Sequence, residues 1–200
     1  MVPALLVFVT WPIIAKQRKA ADLTTAASNL RALHLSLHDF ESSYGRFPDA
    51  STISSVKSAT STTLSLGTTT SNDYFRQIIA AGNKAEIIFW AKSATTTGKP
   101  DNNITGPHAL EKGECAYTYV AGLSSRDDSS SPIAMAPMIP GTSSFDPNPY
   151  RDRAAVLRID GSVKAEGIDP RGEVIIRGKN LFDPSQPYWS GKAPDLKWPE

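Results

Sequence analysis

The chain has 200 residues, and its 21 Lys and Arg against 20 Asp and Glu give a formal net charge of +1. A chain this close to neutral lacks the basic field that attracts nucleic acid, and its length excludes two full catalytic domains. A single cysteine, Cys115, excludes an intramolecular disulfide, and three histidines leave little material for a metal site built on soft ligands. The 15 Pro and 13 Gly exclude a bundle of long helices.

Residues 1–15 form an apolar segment without a charged side chain. A helix needs about 20 apolar residues to cross the hydrocarbon core, so this segment is predicted to be a partial membrane anchor. Lys16, Arg18 and Lys19 follow the apolar run, whereas a secretory signal peptide carries its basic residues before it. In an ordinary anchor this order would hold the next domain in the cytoplasm. The side chains predicted to enter the membrane are Leu5, Leu6, Phe8, Trp11 and Ile13.

Helical spacing of apolar residues continues from Ile13 to about Tyr44, and no Pro or Gly interrupts it. Gly45 and Pro48 then end the pattern, as glycine and proline commonly end a helix. The pattern predicts a stalk over residues 13–46, a rod of roughly 45–50 Å at 1.5 Å per residue. We expect a membrane-rooted stalk whose outer half packs on a head; the alternative is a core helix of a globular domain. The predicted helix-packing positions are Leu23, Leu30, Leu37 and Phe40.

His34 and His38 stand four residues apart on this helix, a spacing that can hold a metal from one face. However, no adjacent Glu supplies a general base, and His108 is the only other histidine in the sequence. We therefore predict no metal there and expect both rings to border the apolar stripe.

Ser and Thr make up fourteen of the twenty-one residues from Ser51 to Ser71. Such a composition buries too little apolar area to repay the entropy of ordering, so residues 47–72 are predicted to be a connecting loop or ragged edge strand. Its polar surface could serve for contacts or simply be solvated.

Residues 73–200 are predicted to form an α+β head. Ser71 is placed as the N-cap of a helix over 72–81, and a two-residue turn at Asp160-Gly161 is the strongest hairpin signal. The segments at 124–150 and 183–200 are predicted to be loops. The predicted fold is thus a long N-terminal α-helix packed against a small antiparallel β-sheet with long loops. The predicted strands are 86–92, 116–121, 154–159, 162–166 and 173–177.

Catalytic motifs are absent from the sequence, and we predict neither an enzyme nor a cofactor. Cys115 as a nucleophile would need a cationic or histidine neighbour, and His108 is near only in sequence, so a buried structural thiol is favoured. Exposed carboxylates could hold Ca²⁺ but are expected to be solvated. Aromatic residues of the tail could stack on a sugar, but more often they seal a loop against a sheet. These acidic and aromatic groups are Asp101-Asn102-Asn103, Asp127-Asp128 and Asp146, and Tyr188, Trp189 and Trp198.

The N-terminal third resembles the type IV pilin-like superfamily, which includes the pseudopilins of type II secretion. The apolar run into Trp11-Pro12-Ile13 resembles the pilin segment with a helix-kinking proline. Residues 20–44 followed by Gly45-Arg46-Phe47-Pro48 resemble the exit of the pilin stalk. A basic leader and the recognition glutamate of pilins do not precede this run, so we expect the native chain to start upstream of Met1. Cys115 likewise lacks the partner for the C-terminal disulfide of many pilins.

This resemblance implies a non-catalytic filament subunit of the bacterial envelope, anchored in the inner membrane with its head in the periplasm or on the cell surface. Apolar helices would pack in the filament core against other copies or other pilin-like subunits. The loops at 51–71 and 124–150 would form the outer contact surface, with a surface ligand as a further partner. The alternative is a membrane-tethered binding module for glycans or host protein that does not polymerise. An envelope hydrolase requires unrelated residues to converge in space.

Overall fold

The computed structural model describes the backbone of residues 3–200 and the side chains of residues 14–200. Helix α1 runs without a break over Pro3–Tyr44, and Gly45, with a φ of +81°, follows its end. This confirms the long N-terminal helix. Among the residues described, no helix combines the length and the apolar character needed to cross a membrane.

The head is built on a five-stranded antiparallel sheet with the strand order β4-β3-β2-β1-β7. A separate two-stranded ribbon pairs β5 with β6. Helix α1 packs on one face of the sheet, chiefly on β3 and β4, which confirms the predicted α+β arrangement. The strands are β1 (Thr118–Ala121), β2 (Pro132–Ala136), β3 (Arg153–Arg158), β4 (Val163–Gly167), β5 (Ile175–Ile176), β6 (Lys179–Asn180) and β7 (Asp195–Lys197).

The sheet is covered on both faces, because side chains alternate along each strand. Leu157 and Tyr119 lie in the cluster that includes α1, while Val156 and Val120 lie in the cluster on the other face. The second cluster is covered by residues 181–189, which contribute Trp189 to it. Strands buried on both faces lose the alternation of polar and apolar residues that marks a half-buried strand.

The Ser/Thr-rich segment contains a helix where a loop or ragged strand was predicted. Helix α2 spans Ile53–Thr60 after a 3₁₀ turn at Ala50–Thr52. Asp49 caps this turn, with its carboxylate accepting from the N–H of Ser51 and the Thr52 hydroxyl accepting from the N–H of Asp49. Thr52, Val56 and Leu64 are buried, and the Thr52 hydroxyl donates to Gln77 of the next helix at 2.6 Å. A few anchors and one cap thus order this polar segment.

Helix α3 spans Ser71–Ala80, which confirms the predicted second helix with its N-cap at Thr70 instead of Ser71. The predicted strand over 86–92 is wrong, because the chain forms a 3₁₀ helix at Glu86–Phe89. This helix packs on α1 and buries Ile88 and Phe89, whereas Ile87 stays 41% exposed. The predicted loops at 124–150 and 183–200 are also wrong in part, since they contain β2 and β7.

The hairpin of β3 and β4 is confirmed, but its turn is longer than the two residues predicted. Strand pairing ends at Leu157 and Val163, and the N–H of Arg158 donates to the carbonyl of Ser162 at 3.0 Å. Gly161 alone in this turn has a positive φ, of +78°. This is the pattern of a wider turn, in which one glycine takes the left-handed position.

Candidate assembly surface

Helix α1 has two parts with different surroundings, which we call the protruding segment (residues 14–22) and the head-bound segment (residues 26–44). Most side chains of the protruding segment are exposed, and Ile14 retains 45% of its accessible surface. From Ala26 onward one face of the helix is buried against the head. The helix therefore leaves the head near Ala26, and residues 14–22 form a free rod.

Polar contacts fasten the head-bound segment at the point where α1 leaves the head. The Tyr117 hydroxyl lies 3.0 Å from the carbonyl of Ala26 and 3.1 Å from that of Trp90. The amide of Asn29 donates to the same Trp90 carbonyl at 2.8 Å. These bonds join α1 to the segment after the 3₁₀ helix at Glu86–Phe89, and so fix where the free rod begins.

The predicted helix-packing residues lie mostly inside the head itself. Leu30 and Leu37 are fully buried and Phe40 is 2% exposed, all within the cluster between α1 and the sheet, while Leu23 is partly buried at its edge. Their helical stripe is present, but it binds the head of the same chain. A second copy could reach Leu30, Leu37 and Phe40 only if the head detached, so they are not available as an assembly surface.

The predicted membrane-anchor side chains lie outside the described ones, which begin at Ile14. After them, Lys16 and Arg18 are exposed and Lys19 is partly exposed. This basic band thus lies on the protruding segment, away from the head's buried face. The anchor residues named from the sequence are Leu5, Leu6, Phe8, Trp11 and Ile13.

One large apolar side chain lies on the outer face of the head-bound segment. Leu35 retains 66% of its accessible surface, although Leu33 and Leu37 on either side of it are fully buried. Most of its neighbours on this outer face are polar, such as Arg31 and Asp39. Leu35 is not among the residues predicted to take part in assembly; its position out of phase with the buried stripe was the available signal. Within residues 14–44, the free surface of α1 therefore consists of the protruding segment and this outer face.

His34 and His38 border the apolar stripe, as expected, and both are used by the fold. Nε2 of His34 lies 3.0 Å from the carbonyl oxygen of Ile159 and 3.0 Å from Nε2 of His38. His34 also packs on the β3–β4 turn: a Cβ built on Gly161 would lie 2.7 Å from its Cε1 atom. The pair therefore joins α1 to the hairpin.

Cys115 is fully buried, in agreement with the structural role favoured from the sequence. Burial raises the pKa of its thiol to about 12, and its sulfur contacts Ser71 and the carbonyl of Tyr117. A thiol with that pKa stays protonated at neutral pH, so it is a poor nucleophile. His108 is exposed and lies 2.8 Å from Glu111.

Most of the acidic side chains considered for Ca²⁺ accept hydrogen bonds within their own turns. Asp127 accepts from Ser124, Asp128 from Ser130, and Asp146 from Asn148. The hydroxyl and amide of Ser130 lower the pKa of Asp128, which is the behaviour of a solvated turn carboxylate. Asp101 also accepts from the N–H of Asn103 in its own turn, but its carboxylate lies beside those of Glu86 and Glu114.

The aromatic side chains of the tail seal loops against the sheet. Tyr188 and Trp189 are buried, and the indole N–H of Trp189 donates to the carbonyl of Leu181 at 2.8 Å. The indole of Trp198 donates to the carbonyl of Thr142 at 3.0 Å. These contacts favour the sealing role over sugar stacking.

No family model, curated protein or solved structure matches this chain.

Proposed function

We propose that this chain is a structural, non-catalytic subunit of a filament in the bacterial cell envelope, resembling type IV pilins and type II secretion pseudopilins, and assembling through helix α1. One observation carries the proposal: α1 is a single helix that packs on the head over residues 26–44 and stands free of it over residues 14–22. The protruding segment continues the uncharged run of residues 1–15.

A free helix of this kind needs neighbours. Isolated helices are marginal in water, and most of their stability in proteins comes from packing of an apolar face. The head-bound segment has that support from the sheet, whereas the protruding segment does not. Packing against copies of itself, with the uncharged run in the inner membrane before assembly, would supply it.

The free surface of α1 fits a second copy of the helix. The outer face beside the head offers Leu35 as an apolar contact among polar side chains of both charges, including Arg31 and Asp39. Opposite charges on adjacent copies would favour one register over others. In this arrangement the heads lie outside the helical core and present their loops to the surroundings.

Single-cysteine crosslinking in the native cells tests the proposal. Cys115 is the single cysteine of the sequence and is fully buried, so an introduced exposed cysteine would provide the accessible thiol. Ala21→Cys places a thiol on the protruding segment, and Ser54→Cys places a matched one on the exposed surface of α2. We expect a bismaleimide reagent to give ladders of multimers with Ala21→Cys, and far weaker ones with Ser54→Cys.

Monomers alone in both variants would contradict filament assembly and favour the membrane-tethered binding module. Equal ladders from both positions would also contradict it, because they would indicate contacts that do not depend on α1. Thiol labelling of both variants under the same conditions controls for access of the reagent.

A further inference from the structure

Three carboxylates meet beside the 3₁₀ helix at Glu86–Phe89. Glu86 comes from that helix, and Asp101 and Glu114 come from the long segment that leads to β1. One oxygen from each lies within 4.8 Å of the others. Glu86 is fully buried, Glu114 is partly exposed and Asp101 is exposed, so the group forms a short path from the interior to solvent.

Backbone bonds hold these side chains in place. The N–H of Leu110 donates to Oε1 of Glu86, and the N–H of Glu86 donates to the Asn102 side chain at 3.0 Å. Glu114 accepts from the N–H of Asp101 at 3.2 Å. The N–H of Glu111 also donates to Glu114, at 2.6 Å. The cluster is thus built by the fold of this segment rather than by chance proximity of mobile side chains.

One of the two carboxylate oxygens of Glu86 lacks a hydrogen bond among the described residues. Its Oε2 atom is buried and has no hydrogen-bond partner within the described part of the chain. Burial, with the nearby carboxylates of Glu114 and Asp101, raises the pKa of Glu86, because a charged carboxylate is unfavourable here without a cation. In the described residues, no Lys, Arg or His nitrogen lies within 4.0 Å of any of the three carboxylates. Three acidic groups therefore converge without a cation from the protein.

We propose that Glu86, Asp101 and Glu114 bind a calcium ion. The donors are all carboxylate oxygens, the ligands that hard cations prefer, whereas Zn²⁺ prefers nitrogen and sulfur. Oxygens on opposite sides of Ca²⁺ lie up to about 4.8 Å apart, since each is about 2.4 Å from the ion. The three oxygens lie within that distance of one another. Mg²⁺ usually keeps several waters and is held by one or two carboxylates, so three converging carboxylates favour Ca²⁺.

The bound ion would stabilise a part of the head with little regular structure. Between the 3₁₀ helix at Glu86–Phe89 and β1 the chain forms only one short 3₁₀ turn, at Gly106–His108. The ion would connect both ends of this segment, close to where it fastens α1 through Trp90. This inference concerns the head alone and does not depend on filament assembly.

Calcium titration of the chelator-treated, full chain tests the site. We expect isothermal titration calorimetry with Ca²⁺ alone to give saturable one-to-one binding, and Ca²⁺ to raise Tm, because a ligand that binds only the folded state stabilises it. Asp101→Asn should weaken Ca²⁺ binding at least tenfold. In chelator the same variant should be as stable as the unmodified chain or more so, because it removes a like charge.

Glu111→Gln is the matched control. It removes a carboxylate that lies ten residues further along the segment and contacts His108, and it keeps the backbone N–H that donates to Glu114. It should leave Ca²⁺ affinity within about twofold. The proposal is overturned if Ca²⁺ neither binds nor raises Tm, or if Asp101→Asn and Glu111→Gln weaken binding equally. Equal affinity for Mg²⁺ would overturn the assignment to calcium.

Discussion

The two parts of α1 are the same continuous helix, yet only one of them has a partner within the chain. In the head-bound segment a stripe of Leu and Phe is buried on the sheet, and each buried leucine contributes about 2–3 kcal/mol. In the protruding segment Ile14 stays 45% exposed. The comparison teaches that helical periodicity predicts which residues pack, but not whether the partner is the same chain or another copy.

The largest difference in unfolding free energy is expected between variants of two leucines on opposite sides of the head-bound segment. Leu37→Asp places a charge in the fully buried cluster and should lower the free energy of unfolding by more than about 4 kcal/mol, or prevent folding. Leu35→Asp, two residues away on the outer face, should change it by less than about 0.5 kcal/mol. Urea denaturation followed by circular dichroism measures both, and similar losses would contradict the two-faced helix.

Shortening an apolar side chain to alanine should destabilise the protein in the head-bound segment but not in the protruding segment. Leu30→Ala leaves a cavity between α1 and the sheet and should cost about 2–5 kcal/mol of unfolding free energy. Ile14→Ala, in the protruding segment, should cost less than about 0.5 kcal/mol. Thermal unfolding of the purified chain compares them; a large loss with Ile14→Ala would mean that the protruding segment is packed after all.

A substitution at the boundary between the two segments should have a smaller effect on the free energy of unfolding. Tyr117→Phe removes the hydroxyl beside the carbonyls of Ala26 and Trp90 and should cost about 1 kcal/mol, since one buried hydrogen bond is lost. Amide hydrogen exchange should rise around Ala26 and Trp90 rather than across β3. Uniform acceleration of exchange would show that Tyr117 supports the whole head instead of the exit of α1.

The variant with the smallest expected effect on stability should have a specific effect on assembly. Leu35→Asp should reduce the multimer ladder that Ala21→Cys gives in cells, although the head stays folded. Ile87→Asp is the matched control, because Ile87 is 41% exposed on the 3₁₀ helix, away from α1's outer face. If both variants reduce the ladder equally, the outer face of α1 has no special part in assembly.

Much of the fold follows from local sequence patterns. The stripe through Leu30, Leu33 and Leu37 predicts α1, because helical spacing over many turns is hard to produce otherwise. The Asp160-Gly161 pair between two apolar segments predicts the β3–β4 hairpin, since Asp-Gly is a favoured hairpin turn sequence. Both features are encoded within a few residues of where they act.

The missed elements depend on distant partners. Strand β2, Pro132–Ala136, has Ile133 as its one β-branched side chain among Pro, Ala and Met, and it is fixed by β1 and β3 on either side. The segment Glu86–Phe89 has the apolar composition of a buried strand but packs as a 3₁₀ helix against α1. Tertiary contacts override local preference in both cases.

Sequence patterns also could not predict the acidic cluster of Glu86, Asp101 and Glu114. Asp101 was considered as a Ca²⁺ ligand together with Asn102 and Asn103, its neighbours in sequence. Its partners are instead Glu86 and Glu114, which no short ligand motif connects. Only the path of the loop between the 3₁₀ helix and β1 brings the three together.

Gly161 is subject to two independent restrictions, and they bear on which mutations this protein can accumulate. Its φ of +78° disfavours most side chains, and His34 occupies the space that a Cβ would need. Gly178 has a similar φ of +79° but open space around it, so asparagine should be accepted there. In a saturation mutagenesis library selected for folding, position 178 should therefore retain asparagine, whereas position 161 should retain glycine alone.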